Sequence, residues 1–197
     1  MKKIQACVVL SILISNICFA APRSADAEQF DIAGVKLGMS KKAAITAITQ
    51  KLGLGVNAVK FDEFSQVNPV TKTKEPAYFT VKTANMSVVV HMQPKVPYDA
   101  NEPMVVSIII YEQPWTQQNA LAMKKMALEK YGKPSNGVIG VAYHWCIEPH
   151  SNPGFGCSEF YGPKLVLSGT RLRLEDTQYQ QAVIDFMNKR KTSKPVF

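Results

Sequence analysis

His144, Cys146, His150 and Cys157 fall within fourteen positions of one another. Thiolate and imidazole are zinc ligands, yet this spacing fits none of the usual tetrahedral patterns. Oxidation is the simpler chemistry. An even pair of cysteines outside the cytoplasm closes a ring, here through Ile-Glu-Pro-His-Ser-Asn-Pro-Gly-Phe-Gly. Such a ring stabilises by roughly 2–3 kcal/mol, because the unfolded chain loses loop entropy. The sequence therefore favours a Cys146–Cys157 disulfide over a metal site, and no metal or cofactor is expected.

The same stretch carries Trp145, Phe155, Phe160 and Tyr161 among Pro149, Pro153, Gly154, Gly156, Gly162 and Pro163. Either these aromatics complete a core, or a stiffened loop presents them to a partner. A pre-ordered loop loses less entropy on binding, and aromatic side chains are enriched at interface hot spots. On the second reading Trp145, Phe155, Phe160 and Tyr161 are the partner-binding residues.

Further on, Thr170-Arg171-Leu172-Arg173-Leu174-Glu175 alternates. As a strand it puts Arg171 and Arg173 on one face and both leucines on the other. Two guanidinium forks in register suit a carboxylate or phosphate; the plainer role is a solvated face balanced by Glu175. Catalytic patterns are missing. There is no Gly-x-Ser-x-Gly, no His-Glu-x-x-His and no phosphate loop. His91 lies inside an apolar strand, where a hydrogen-bonded structural role is expected. Asp62-Glu63 and Glu175-Asp176 sit at element ends, where turns and caps explain them. The expectation is a non-enzymatic protein with no catalytic residues.

Positioning these groups is the work of alternating helix and strand patterns. Ser40 is placed to cap a helix with Ala44, Ile45, Ile48 and Leu52 on one face, stopped by Gly53. Strands are predicted near 57–62, 77–83, 86–92 and 104–111; the last is apolar almost throughout, as a central strand would be. Thr116 opens a second helix, with Ala120, Met123, Ala127 and Tyr131 facing the core. Strands follow near 138–145, 157–161, 164–168 and 170–175, with a turn at Ser168-Gly169. Asp176 caps a closing helix carrying Tyr179, Ala182, Val183, Phe186 and Met187 at helical spacing. The predicted class is α+β, helices packed on an antiparallel sheet. Its order suggests tandem helix-plus-four-strand units, 30–112 and 113–176, with a helix at 177–190 closing a single 30–190 domain.

The ends carry different information. Lys2 and Lys3 precede the apolar run 6–14 and then Cys18-Phe19-Ala20, the layout of a secretory signal peptide cut after Ala20. The run is shorter than the ~20 apolar residues that span a bilayer. Residues 21–29 read as a flexible lead-in and 191–197 as a basic tail. Of 197 residues, 23 are basic and 15 acidic; without Lys2 and Lys3 the balance is 21 to 15, or +6. Four of those cations lie in the last nine residues, so the body is nearly neutral. The composition, 46% hydrophobic and 19% charged, is that of a folded chain rather than a disordered one. Export disfavours a nucleic-acid partner and points to the periplasm or medium.

Ile32-Ala33-Gly34-Val35-Lys36-Leu37-Gly38-Met39-Ser40 leading into a helix, with Tyr131-Gly132-Lys133-Pro134 after the next, resembles small exported proteins of the beta-lactamase-inhibitor-protein fold and the related small lipoproteins of outer-membrane assembly. The match covers about a fifth of the chain, and the lipid-attachment cysteine of the lipoproteins is missing. The resemblance implies a protein-binding scaffold, an inhibitor or immunity protein acting on an envelope enzyme, whose partner is another envelope or secreted protein. The alternative expectation is a binding protein for anionic envelope lipid or polymer, working through Arg171, Arg173 and the tail.

Overall fold

The structure is a computed structural model and describes residues 23–190 except Gln66, Pro69, Pro153, Glu159 and Phe160. The expected signal peptide (1–20) and basic tail (191–197) lie outside the described residues.

The described residues open with a 3₁₀ turn over Ala27–Gln29, then a small hairpin, β1 (Asp31–Ile32) and β2 (Val35–Lys36), then α1 (Lys41–Leu52). Ser40 accepts a hydrogen bond from the Ala43 N–H, and Gly53 closes α1 in the left-handed region. β3 (Val59–Phe61), β4 (Tyr78–Lys82), β5 (Ser87–Pro94) and β6 (Met104–Glu112) form an antiparallel meander. The second half repeats the order: α2 (Gln117–Tyr131), β7 (Asn136–Val138), β8 (Ala142–Cys146), β9 (Pro163–Ser168) and β10 (Arg171–Asp176), closed by α3 (Thr177–Arg190). Thr116 caps α2 through the Asn119 N–H, as Ser40 caps α1.

The eight strands β3 to β10 make one sheet in the order β3-β4-β5-β6-β10-β9-β8-β7, so the two meanders meet where β6 pairs with β10. The fold is α+β with helices on an antiparallel sheet, as the sequence predicts. At the seam Ile109 stands opposite Leu174, and both are fully buried. One hydrophobic core joins Ala44 and Ile48 of α1, Met123 and Ala127 of α2, and the inward residues of all the long strands, among them Phe79, Val90, Leu165 and Leu174. Burying side chains of this size contributes ~1.5–3 kcal/mol apiece.

The β1–β2 hairpin wedges between the two helices. Its turn places Ala33 and Gly34 at positive φ, as a tight two-residue turn requires. A Cβ on Gly34 would stand 3.2 Å from the Ala47 carbonyl oxygen, so only glycine lets the turn lie against α1. On the other side Asp31 is tied to α2 by Lys130 Nζ at 2.8 Å, and its carbonyl accepts from the Tyr131 hydroxyl at 2.7 Å. Burial pulls the Asp31 carboxyl upward, but Lys130 and the Gly34 N–H together hold it below its ordinary value.

α3 lies on the other face of the sheet. Val183 is buried yet belongs to no part of the shared core, and α3 contacts β5. The core side of β5 is already filled by Val88, Val90 and Met92, so α3 packs on the opposite one. Asp176 caps it through the Tyr179 N–H, and the Tyr179 hydroxyl donates to the Pro94 carbonyl.

Four expectations need correction. The single strand at 138–145 is a hairpin, β7 and β8, because Gly140 at positive φ turns the chain between Val138 and Ala142. The strand at 157–161 is absent among the described residues: Cys157 makes one isolated bridge to Pro149, and Tyr161 sits in a bend. The last hairpin turns at Gly169-Thr170, since Ser168 already pairs with Arg171. The lead-in is docked from Ala25 onward. Its N–H donates to the Cys146 carbonyl at 2.7 Å, and Ala27 is fully buried.

Candidate functional site

Strand alternation builds the site. Leu172 and Leu174 point into the core, so Arg171, Arg173 and Glu175 line the second face. Pairing sets Ser168, Val166 and Lys164 of β9 beside them, then Ala142, His144 and Cys146 of β8. Cys146 is bonded to Cys157, which folds the intervening loop back over His144. The approach is so close that a Cβ on Gly156 would meet the His144 ring at 2.9 Å. Both sulfurs of the alternative metal set are therefore used in the disulfide.

Loop and sheet enclose a cleft of about 400 Å³ lined by His144, Phe155, Lys164, Arg171, Arg173 and Glu175. Arg173 donates to Glu175 through Nε at 2.9 Å and Nη2 at 2.6 Å, and Lys164 Nζ stands 3.6 Å from the same carboxylate. One carboxylate thus serves two cations. Arg171 is exposed and has no ion pair among the described residues, so the cleft keeps excess positive charge. The expected balance by Glu175 holds for Arg173 and not for Arg171. Burial, then Lys164, hold the His144 imidazole below its ordinary pKa; burial, then Arg173 and Arg171, do the same to His91 on β5.

One side chain braces the loop, beside the disulfide and the backbone bonds His150 N–H to Gly156 carbonyl and Ser158 N–H to Glu148 carbonyl. Asn136 on β7 donates through Nδ2 to the carbonyls of His150, Asn152 and Gly156, and its Oδ1 accepts from the Gly154 N–H. This seats the ring against the β7–β8 hairpin, with Gly154 beside Val138. Phe155 stacks on His150 with ring centroids 5.1 Å apart and stays 71% exposed. At the hairpin tip Ile139 is 89% exposed, flanked by exposed Val138 and Val141. Four apolar side chains thus stand in water on a braced corner at the edge of the cationic cleft.

The structure separates the expected partner-binding residues. Phe155 joins Arg171 and Arg173 in one cleft. Trp145 does not belong there: its phase on β8 turns it to the opposite face, where it is fully buried, donates to the Gly132 carbonyl at 3.0 Å and meets the Tyr131 ring edge-on. Tyr161 is exposed and stands outside the cleft. Phe160 lies outside the described residues. Sequence reading missed Ile139, Val141 and the brace at Asn136. The signal was Asn136-Gly137 with Gly140 three positions on, a turn pattern inside a β-branched run.

Compared with protein-family models, with curated proteins and with solved structures, the chain matches none.

Proposed function

We propose that this is an exported, non-enzymatic protein-binding module, of the inhibitor or immunity type acting on an envelope enzyme. Its docking surface is the braced corner of Val138, Ile139, Val141 and Phe155, with Arg171 at its edge. The observation that carries this reading is the exposure of those apolar groups on backbone already fixed by a disulfide and by Asn136. A protein spends apolar exposure of this kind at interaction surfaces, and a fixed loop loses little entropy on docking. Export is supported by the signal-peptide pattern and by the disulfide, which suits an oxidising compartment. No helix among the described residues is long and apolar enough to cross a membrane. The resemblance around Gly34, Gly38 and Ser40 supports a scaffold role.

The test places a photo-crosslinking residue at Ile139, with Lys60 at the far end of the sheet as control. Site-specific adducts to one protein from Ile139 alone are expected. That protein, purified, should bind in high salt, and Phe155→Ala should weaken it by ~1–2 kcal/mol or more. Equal binding of wild type and Phe155→Ala, or adducts equally from Lys60, sinks the reading. Arg171, which has no ion pair among the described residues, favours a second reading, an anionic envelope lipid or polymer. It predicts salt-sensitive binding to anionic vesicles or glycans, lost in Arg171→Glu.

A further inference from the structure

A second concavity lies on the opposite side of the sheet, between the two core helices. The β1–β2 hairpin holds α1 and α2 apart, and beside it remains a groove of about 520 Å³. Tyr111 of β6 and Leu172 of β10 form its floor, Ile32, Met123 and Ala127 its walls. Its volume falls within the ~300–1,000 Å³ of small-molecule sites. The groove is preformed. Gly34 abuts the backbone of α1, and the Asp31–Lys130 ion pair anchors the hairpin to α2, so its width is set by contacts a ligand need not make.

The charges at its mouth say what fits. Lys130 is spent on Asp31 at 2.8 Å, and Glu129 faces Lys125 at 3.9 Å. Lys51, in the last turn of α1, has no ion pair among the described residues. The uncompensated charge at the rim is thus positive, above an apolar trough. Met126 stands at the same rim, 65% exposed, and with Met123 supplies the flexible, polarisable surface that adapts to an alkyl chain. We infer that this groove binds a single-chain amphiphile with an anionic head, its acyl chain laid on Tyr111 and Leu172 and its carboxylate against Lys51. This site is independent of the braced corner on the other face.

Isothermal titration of the purified protein with sodium dodecanoate, below its micelle concentration, tests the inference, with dodecanol as the uncharged probe. One-to-one saturable binding is expected, with dodecanol several-fold weaker. Lys51→Glu and Met126→Glu are both surface changes and should keep the melting temperature. Each should weaken dodecanoate about tenfold, the loss of roughly one favourable contact. Absence of saturable binding overturns the inference, as does equal affinity for dodecanol or unchanged affinity in both variants. A dimer seen in sedimentation and abolished by Met126→Glu also overturns it, since the groove would then serve a second copy of the chain.

Discussion

Phe155 and Trp145 are both aromatic, both near the disulfide, and their truncations should behave oppositely. Phe155→Ala removes a ring that is mostly in water, so stability should change by no more than ~0.5 kcal/mol. Trp145→Ala empties a buried site and strands the Gly132 carbonyl, costing ~3–5 kcal/mol. Denaturant melts of the two variants check both values. Composition alone could not separate these residues, because side depends on strand phase and the phase of β8 is set by a turn at Gly140 that the apolar pattern conceals. Arg171 and Arg173 were legible, since Leu172 and Leu174 fix the phase from within the same strand. The half-buried histidines give a pH prediction. His91 and His144 have folded pKa values lowered by burial and by neighbouring cations. The unfolded chain therefore binds protons first, near pH ~6.5. Their contribution to stability is complete above that pH and is lost as pH falls from there through the lower folded values. Urea midpoints should drop between pH 7 and pH 5, and His91→Gln with His144→Gln should flatten that drop. An unchanged drop in the double variant would remove these two groups as its cause.

At the scale of elements, the disulfide loop has almost no repeating structure of its own. Its shape comes from the ring closure, from the backbone bonds of His150 to Gly156 and Ser158 to Glu148, and from Asn136, which answers three carbonyls and one N–H. Asn136→Ala should leave the His150 carbonyl and the Gly154 N–H to water and loosen the loop without opening the sheet. Hydrogen exchange checks this: the Gly154 amide should lose protection while amides of β9 and β10 keep theirs. If the corner binds a partner, the same change should lower affinity with every apolar contact still present, since ordering then occurs on binding. The helices were readable because Ser40, Gly53 and Thr116 mark their ends by local chemistry. The β7–β8 hairpin was not, because Val138-Ile139-Gly140-Val141 has the apolar content of a buried strand and only tertiary placement leaves it exposed.

For the whole molecule, the order of elements announced a helix and four strands twice over, but not how the halves join. The sheet joins them by their last strands, β6 to β10, rather than edge to edge through β3 or β7. That choice buries β6, the most apolar strand of the first half, at the centre, and it makes the core continuous from α1 to α2. Neither half then has a core it can close alone: cut at the seam, residues 23–112 would expose Ile109 and the edge of β6, and residues 113–190 would expose Leu174 and the edge of β10. Unfolding should therefore be a single transition, with calorimetric and van't Hoff enthalpies equal. Leu174→Ala probes the seam directly. It should cost ~2–5 kcal/mol and lower the one melting temperature while keeping the transition single, because the lost contact belongs to both halves. Two resolved transitions, with the variant moving only one, would mean that the halves fold as separate units and that the β6–β10 pairing merely brings them together.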